Sequence, residues 1–433
     1  SRLFNKIPYF DENVEISQYP DIPNNEFTRD EILSMLAKEM LDAAELLPAS
    51  QSEVGRIHKY IALAYAAKIK LYQAYQQDET THAVTSINKE LLREVVSLCD
   101  QVTASNRYGL LDDFQGLDLV ANENGKESVF AIQYSMNDGT ESAGRINWSN
   151  LLNSPGGGSP YGGDGFFLPS QDLINAYQTD ANGLPDFNYQ SKSDYSWAVL
   201  NNGVYTLQNT TPNVDPRLDF VVGRPTITWK TYPDKPCEGW VRDKETYGYN
   251  CAKRFWVSPE SSDMFNGWPW GASQLNWQII RYADILLWKA EALIELNEGD
   301  GLETARDLIN QIRNRARNSA YVKDFNDHSK YAANYLVNPY PADVWNQDYA
   351  RQALRWETRL EKALEGERFF DLVRWGIVET TMNKYITAES DNRIYYANAH
   401  FTGGKDEYYP VPNNQYGFSG GKYVQNPGYA PFN

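Results

Sequence analysis

The chain has 433 residues, enough for a sizeable core or two domains, with 57 acidic against 40 basic side chains and a formal net charge of −17. Phosphate backbones and other polyanions are bound mainly through Lys and Arg, so this balance argues against nucleic acid and leaves room only for a local basic patch. Aromatic residues make up 14%, including 12 Trp and 30 Tyr, more than an ordinary core needs, so their placement has to separate packing from binding.

A first helix is predicted from Thr28, which forms a Thr-x-x-Glu capping box with Glu31, while Phe27 can staple onto Ile32. Its apolar stripe is Ile32, Leu33, Leu36, Met40, Ala43 and Leu47, and Pro48 ends it. Two more helices, at about 57–77 and 88–104, read as an antiparallel pair.

Residues 120–275 change character: Gly, Pro, Asn, Ser and Tyr dominate, with short strand-like runs at Ser128–Tyr134 and Leu218–Val222. Long irregular stretches inside a compact protein are usually functional. The run from Ser154 to Gly165 is glycine-rich but lacks the Lys and Ser/Thr of a phosphate loop and any GxGxxG between strand and helix, so it reads as a mobile surface loop. Asp180-x-Asn182-Gly183 holds a fragment of calcium-loop spacing without the later bidentate Glu, and a turn at Gly183 explains it more simply. No metal site or cofactor is expected. Of the three cysteines, Cys99 falls on a predicted helix as a buried thiol, and Cys237 and Cys251, 14 residues apart in a turn-rich stretch, are candidates for a hairpin disulfide.

A second helical pair is predicted at about 276–297 and 302–317, broken at Gly299 and Gly301. Its first member is the longest apolar helix, but Arg281, Asp284, Lys289 and Glu291 interrupt it, so it is not a membrane span. From Asn346 a helix carries Tyr349, Ala353, Trp356, Leu360 and Ala363 at spacings of four and three and is expected to run on into Gly366–Gly376. There Arg368 and Arg374 sit three residues either side of Asp371, so the three charges are expected to neutralise one another.

The segments Gly366-Glu-Arg-Phe-Phe-Asp-Leu-Val-Arg-Trp-Gly376 and Arg281-Tyr-Ala-Asp-Ile-Leu-Leu287 resemble the signatures of the SusD/RagB family of outer-membrane nutrient-binding lipoproteins. Other family-like phrases follow in order: an Ala/Tyr-rich helix at 57–75, Ser97–Leu111 ending Tyr-Gly-Leu-Leu, Leu168-Pro-Ser-Gln-Asp-Leu173 with Thr179–Gly183, Asp215-Pro-Arg-Leu218, and Tyr409-Pro-Val-Pro-Asn413. The resemblance implies a mainly α fold, a tetratricopeptide-like superhelix of helical pairs with long loop-rich insertions and a few short strands. It implies one unit over 1–433, with a helical frame at 28–119, ligand-binding insertions at 120–275, and a second helical frame with an extended C-terminal segment at 276–433. Arg281, Asp284, Glu361, Glu367, Arg368, Asp371 and Arg374 would be framework residues. It also implies a place on the cell surface at the outer membrane and a SusC-like TonB-dependent transporter as partner. Membrane association would run through an N-terminal lipid anchor not present in this chain, and Ser1-Arg2-Leu3-Phe4 reads as an entry point partway into such a protein.

Catalysis has little support in the sequence. The histidines His58, His82, His328 and His400 are scattered, and no GxSxG elbow occurs. A glycosidase needs only two carboxylates roughly 5 to 10 Å apart, but Glu357/Glu361 and Asp284/Glu291 read as structural ion-pair partners. Sugar binding needs aromatic faces for C–H patches and polar side chains for hydroxyls. Asn266, Trp268 and Trp270, which flank Gly267 and Pro269 just before the Arg281 helix, form the densest cluster. Trp148, Tyr161, Trp197 and Trp240 are further ligand-binding candidates, with Trp229 and Trp256 behind them. The expected function is non-catalytic capture of an oligosaccharide or polysaccharide. A peptide-binding family member, a tetratricopeptide-type protein adaptor and a glycoside hydrolase are the alternatives.

Overall fold

The computed structural model describes all residues except 1, 141–143, 149–151, 155, 157, 197, 202–203, 208–211, 233–238, 249, 269 and 433. Its described part is mainly helical: α1 (Arg29–Leu46), α2 (Lys59–Ala74), α3 (Lys89–Ala104), α4 (Gln171–Ala176), α5 (Arg217–Val221), α6 (Lys244–Tyr247), α7 (Tyr282–Leu296), α8 (Gly301–Asn318), α9 (Gln347–Glu361), α10 (Arg368–Arg374), α11 (Val378–Glu389) and α12 (Asn413–Phe418). The long helices stack as antiparallel neighbours, α1 on α2, α2 on α3, α3 on α7, and α7 on both α8 and α9. Pairs stacked in this way bury a continuous core between them, the principle of a tetratricopeptide-like array.

Local chemistry sets the helix ends. Glu31 donates its backbone N–H to Thr28 Oγ1 (3.3 Å) and accepts from the Thr28 N–H (2.8 Å), closing the capping box. Asn88 caps α3 through its side chain, which accepts from the N–H groups of Glu90 and Leu91.

Three elements differ from the sequence expectation. Residues Trp277–Arg281 are a strand, not the first turn of α7, and pair antiparallel with Ser128–Ile132. The stretch carries two adjacent isoleucines after a Trp, which suit a half-buried pleat. Arg281 then serves as the N-cap of α7, its backbone N–H donating to Asp284 Oδ2 (2.7 Å). Residues Arg217–Val221 form a short helix where a strand was expected, because Pro216 presets the entry and Arg217 is drawn inward by an ion pair with Asp215. The α9 helix stops at Glu361 and does not run into α10, since Leu364 (φ 66°) and Gly366 (φ 80°) reverse the chain.

That break brings carboxylates from α9 and the following turn onto arginines from across the sequence. Glu357 accepts from Arg217 Nη1 (2.6 Å) and Arg313 Nη1 (3.1 Å). Glu361 accepts from Arg281 Nη1 (3.0 Å), Arg217 Nη1 (3.2 Å) and Arg315. Glu365 accepts from Arg281 Nη2 (2.7 Å) and Arg254 Nη1 (3.2 Å), and Glu127 from Arg281 Nη1 (2.8 Å) and Arg315 Nη1 (3.1 Å). Lys362 joins Asp284 (2.7 Å). Burial alone would favour the neutral carboxyl, but the guanidinium groups of Arg315, Arg281 and Arg217 outweigh it and hold Glu361 down to about 2.

The last signature splits in two. Asp371 binds Arg374 Nη2 (2.9 Å), and Arg374 also binds Glu291, whose Oε1 accepts from Trp375 Nε1 (2.9 Å). Arg368 makes no ion pair among the described residues and lines a groove, correcting the expected three-membered cluster. Asp371 is instead held by Arg374. Glu367 lies half-buried, holding Arg2 (2.8 Å) and Lys68 (3.3 Å).

Candidate functional site: a tryptophan face on the loop region

The loop-rich middle of the chain has an aromatic core of its own. Tyr161, Trp229, Trp240 and Trp256 are buried, with ring centroids 4.7 Å apart for Tyr161–Trp256 and 5.0 Å for Trp229–Trp240. Trp229 Nε1 donates to Tyr161 Oη (2.9 Å), and Tyr161 Oη donates to the Val257 carbonyl (2.7 Å). Every polar atom in this pair is thereby used, and burial pushes the Tyr161 phenol well above its ordinary range. Tyr161 and Trp240, expected to face a ligand, are thus part of the packing. An aperiodic loop gives no alternation from which inward and outward rings can be told apart.

A hairpin rests on this core. Met264 and Ser273 bridge antiparallel, Phe265 N–H donates to Ala272 O (2.8 Å), and Gln274 holds Asp263 through backbone (3.1 Å) and side chain (2.6 Å). Ser273 also pairs with Asn147, whose side chain donates to Leu275 O (3.0 Å) in a buried setting. Two glycines at positive φ let the tip sit tightly. A Cβ on Gly271 (φ 73°) would come within 2.9 Å of both Trp256 Cζ3 and the Tyr161 carbonyl, and one on Gly162 (φ 64°) within 3.1 Å of Trp270 Cβ.

The hairpin displays what the core does not. Trp268 is 67% exposed, Trp270 53% and Trp148, next to Asn147 on the adjoining segment, 45%. Asn266 is exposed beside them. Trp197 and Pro269 lie outside the described residues, as does Cys237, so the expected contact at Trp197 and the Cys237–Cys251 bond fall on undescribed positions. Residues 264–273 carry no ionisable side chain, and the glycine-rich loop that meets Trp270 pairs its Asp164 with Arg242 (2.8 Å). At the hairpin's base Asp263 opens onto a cavity of about 710 Å³ lined also by Asp118, Lys230, Lys253 and Ser258. Flat apolar rings beside polar groups are suited to saccharide C–H faces and hydroxyls.

One carboxyl near this site is strongly shifted. Glu123, which accepts from the Asn276 N–H (2.6 Å), is raised to about 7 by burial, with the Asp263 charge adding to it. Its bonded partner is a backbone amide rather than a second acid. Among the described residues no group of three His, Cys, Asp or Glu is arranged to hold a metal ion, and no helix is long and apolar enough to cross a membrane.

A frame of stacked helix pairs carrying a loop-built aromatic face defines the class: a tetratricopeptide-like scaffold with long loop-rich stretches. The sequence model of the SusD family matches residues 126–429, and the chain belongs to that family. A SusD superfamily protein from Bacteroides vulgatus superposes with a TM-score of 0.66 at 21% identity, covering 99% of this chain and 74% of that one. A laminarin-binding SusD-like protein gives 0.62 at 20% identity over 99% and 75%. Surface glycan-binding protein A of Bacteroides thetaiotaomicron, in complex with laminarihexaose, gives 0.61 at 17% identity over 98% and 74%. Among curated proteins none matches.

Proposed function

We propose that this protein is a non-catalytic, cell-surface glycan-binding subunit that holds an oligosaccharide on Trp148, Trp268 and Trp270 and passes it to a TonB-dependent transporter in the outer membrane. The observation that carries the reading is the sorting of indole rings. Within one loop region Trp229, Trp240 and Trp256 are buried, while three on adjoining segments stay exposed. Leaving large apolar rings in water on a braced hairpin is unfavourable unless something covers them. The lack of charge on residues 264–273 favours a neutral sugar. Two structural relatives are described with laminarin or laminarihexaose, so a β-glucan is the natural first probe. The transporter and the outer-membrane location rest on family membership.

The test is a glycan array followed by affinity electrophoresis and product analysis after long incubation. Retarded migration in at least one neutral glycan, with no shorter sugars released, is the expected result. Release of oligosaccharides at an enzymatic rate would point instead to Glu123 as an acid catalyst, and binding of peptides alone would assign the face a different ligand.

A further inference from the structure

On the other side of the α9 helix, a groove of about 720 Å³ runs between α4, α9, α10 and α11. It concentrates positive charge on a protein of net −17: Arg351, Arg355, Arg359, Arg368 and Lys384 line it against Asp172 and Asp348. Three of the arginines are spaced by four along α9 and so share one helix face.

The cations divide by partner. Arg359 Nη2 donates to Asp172 Oδ2 (2.6 Å) and its Nη1 to Tyr189 Oη (2.8 Å). Arg351 spends Nε and Nη2 on Glu295 (2.7 and 2.9 Å) and Nη1 on Asp348 (3.0 Å). Arg355 lies over the Trp375 ring at 5.4 Å and has no carboxylate partner among the described residues. The carboxylates whose charge reaches it, Glu291 and Glu295, are already bound by Arg374 and Arg351. Arg368 is in the same position, since Asp371 is held by Arg374 and Asp172 by Arg359. Burial and the neighbouring Arg359 cation both work against its charged form. Lys384, exposed on α11, also lacks a described partner.

The walls are aromatic. Trp356 is fixed by its Nε1 bond to Ala176 O (3.1 Å), and Tyr385 and Tyr396 meet oxygen to oxygen at 3.1 Å. Beyond the rim the exposed Tyr395 continues the surface, its ring 4.6 Å from that of Tyr396. A groove of this volume is in the range that encloses a small ligand. Guanidinium groups without a counter-charge among the described residues select oxyanions that accept two parallel N–H bonds, and aromatic walls select rings.

We propose that this groove is a second ligand site, separate from the tryptophan face, that binds an acidic saccharide, with a uronate carboxylate or sugar sulfate held by Arg368 and Arg355 and the ring against the aromatic wall. The net charge of the molecule repels long polyanions, so the site fits short ones.

Calorimetric titration at low salt with short oligogalacturonides, their uncharged methyl esters and a sulfated disaccharide tests the assignment on wild type, Arg355→Met, Arg368→Met and Trp268→Ala. Among the described residues neither arginine has an ion pair to lose, so both variants are expected to fold, Arg355→Met giving up only its stacking on Trp375. The expected result is binding of at least one acidic sugar, weakened about tenfold or more by at least one Arg→Met change and, for the uronate, also by the ester, and untouched by Trp268→Ala. Whether the carboxylate or the sulfate binds identifies the anion. Equal affinity for acid and ester, binding that survives both Arg→Met changes, no binding of either acidic sugar, or loss only in Trp268→Ala would each overturn it. Neutral-glycan binding to the tryptophan face is measured separately on the same proteins, so either site can fail without the other.

Discussion

At single residues, the same ring chemistry has opposite consequences depending on which way it points. Truncating Trp268 or Trp270 to Ala should remove a stacking contact worth about 2 kcal/mol, roughly a thirtyfold loss in glycan affinity, with stability changed by no more than about 0.5 kcal/mol. Tyr161→Ala should cost about 3 to 5 kcal/mol of folding free energy, because it opens the aromatic core and strands the Trp229 N–H. Melting curves beside titrations separate the two, and a stable Tyr161→Ala protein would contradict the packing role. Charged residues divide in a similar way. Glu361→Ala leaves Arg217, Arg281 and Arg315 short of a shared partner inside the frame and should cost at least about 3 to 5 kcal/mol. Asp371→Ala should cost only about 1 to 3 kcal/mol, since Arg374 keeps Glu291. Denaturant unfolding of both variants gives the order, and the reverse order would show that the α9 carboxylates are not the centre of the network.

At the scale of elements, much was legible where the signal is local. The Thr28 capping box, the Asn88 boundary and the Gly299–Gly301 break were readable because each is set by residues a few positions apart. The strand at Trp277–Arg281 was not, because its partner is Ser128–Ile132, some 150 residues away in sequence. The break between α9 and α10 was hidden for another reason: Leu364 adopts a positive φ that its residue type does not advertise. The hairpin makes its own prediction. Gly271→Ala should cost more than about 1 kcal/mol and weaken glycan binding by shifting the tip, because its Cβ meets the Tyr161 backbone as well as Trp256. Gly299→Ala also has a positive φ but open space around it, so it should leave binding unchanged. Equal effects on affinity from both would mean that the tip's seat on the aromatic core does not position the site.

For the whole molecule, acid sensitivity follows from where the carboxylates sit. Glu361, held down to about 2 against an ordinary 4.5, contributes stability that is present above about 4.5 and lost as pH falls toward 2. Glu123 and Glu389 act in the opposite sense. Burial raises both from 4.5 to about 7, so between those values the native state holds protons that the unfolded chain has released, and stability declines as pH rises through the window. Melting temperature followed from pH 4.5 to 7 should fall less steeply in Glu389→Gln than in wild type; an unchanged slope would remove Glu389 from that account. The family and the helical frame were legible through short phrases, whereas Arg313 and Arg315 on α8 and Glu127 and Glu365 in turns were not, because lone charges look solvated until the fold joins them. The central claim, that exposed indole rings on a braced hairpin capture sugar, is tested most directly by titrating wild type and a Trp268→Ala/Trp270→Ala double variant with a laminarin oligosaccharide or the neutral glycan selected on the array. Lost binding at an unchanged melting temperature is the predicted result, and wild-type affinity in the double variant would contradict it.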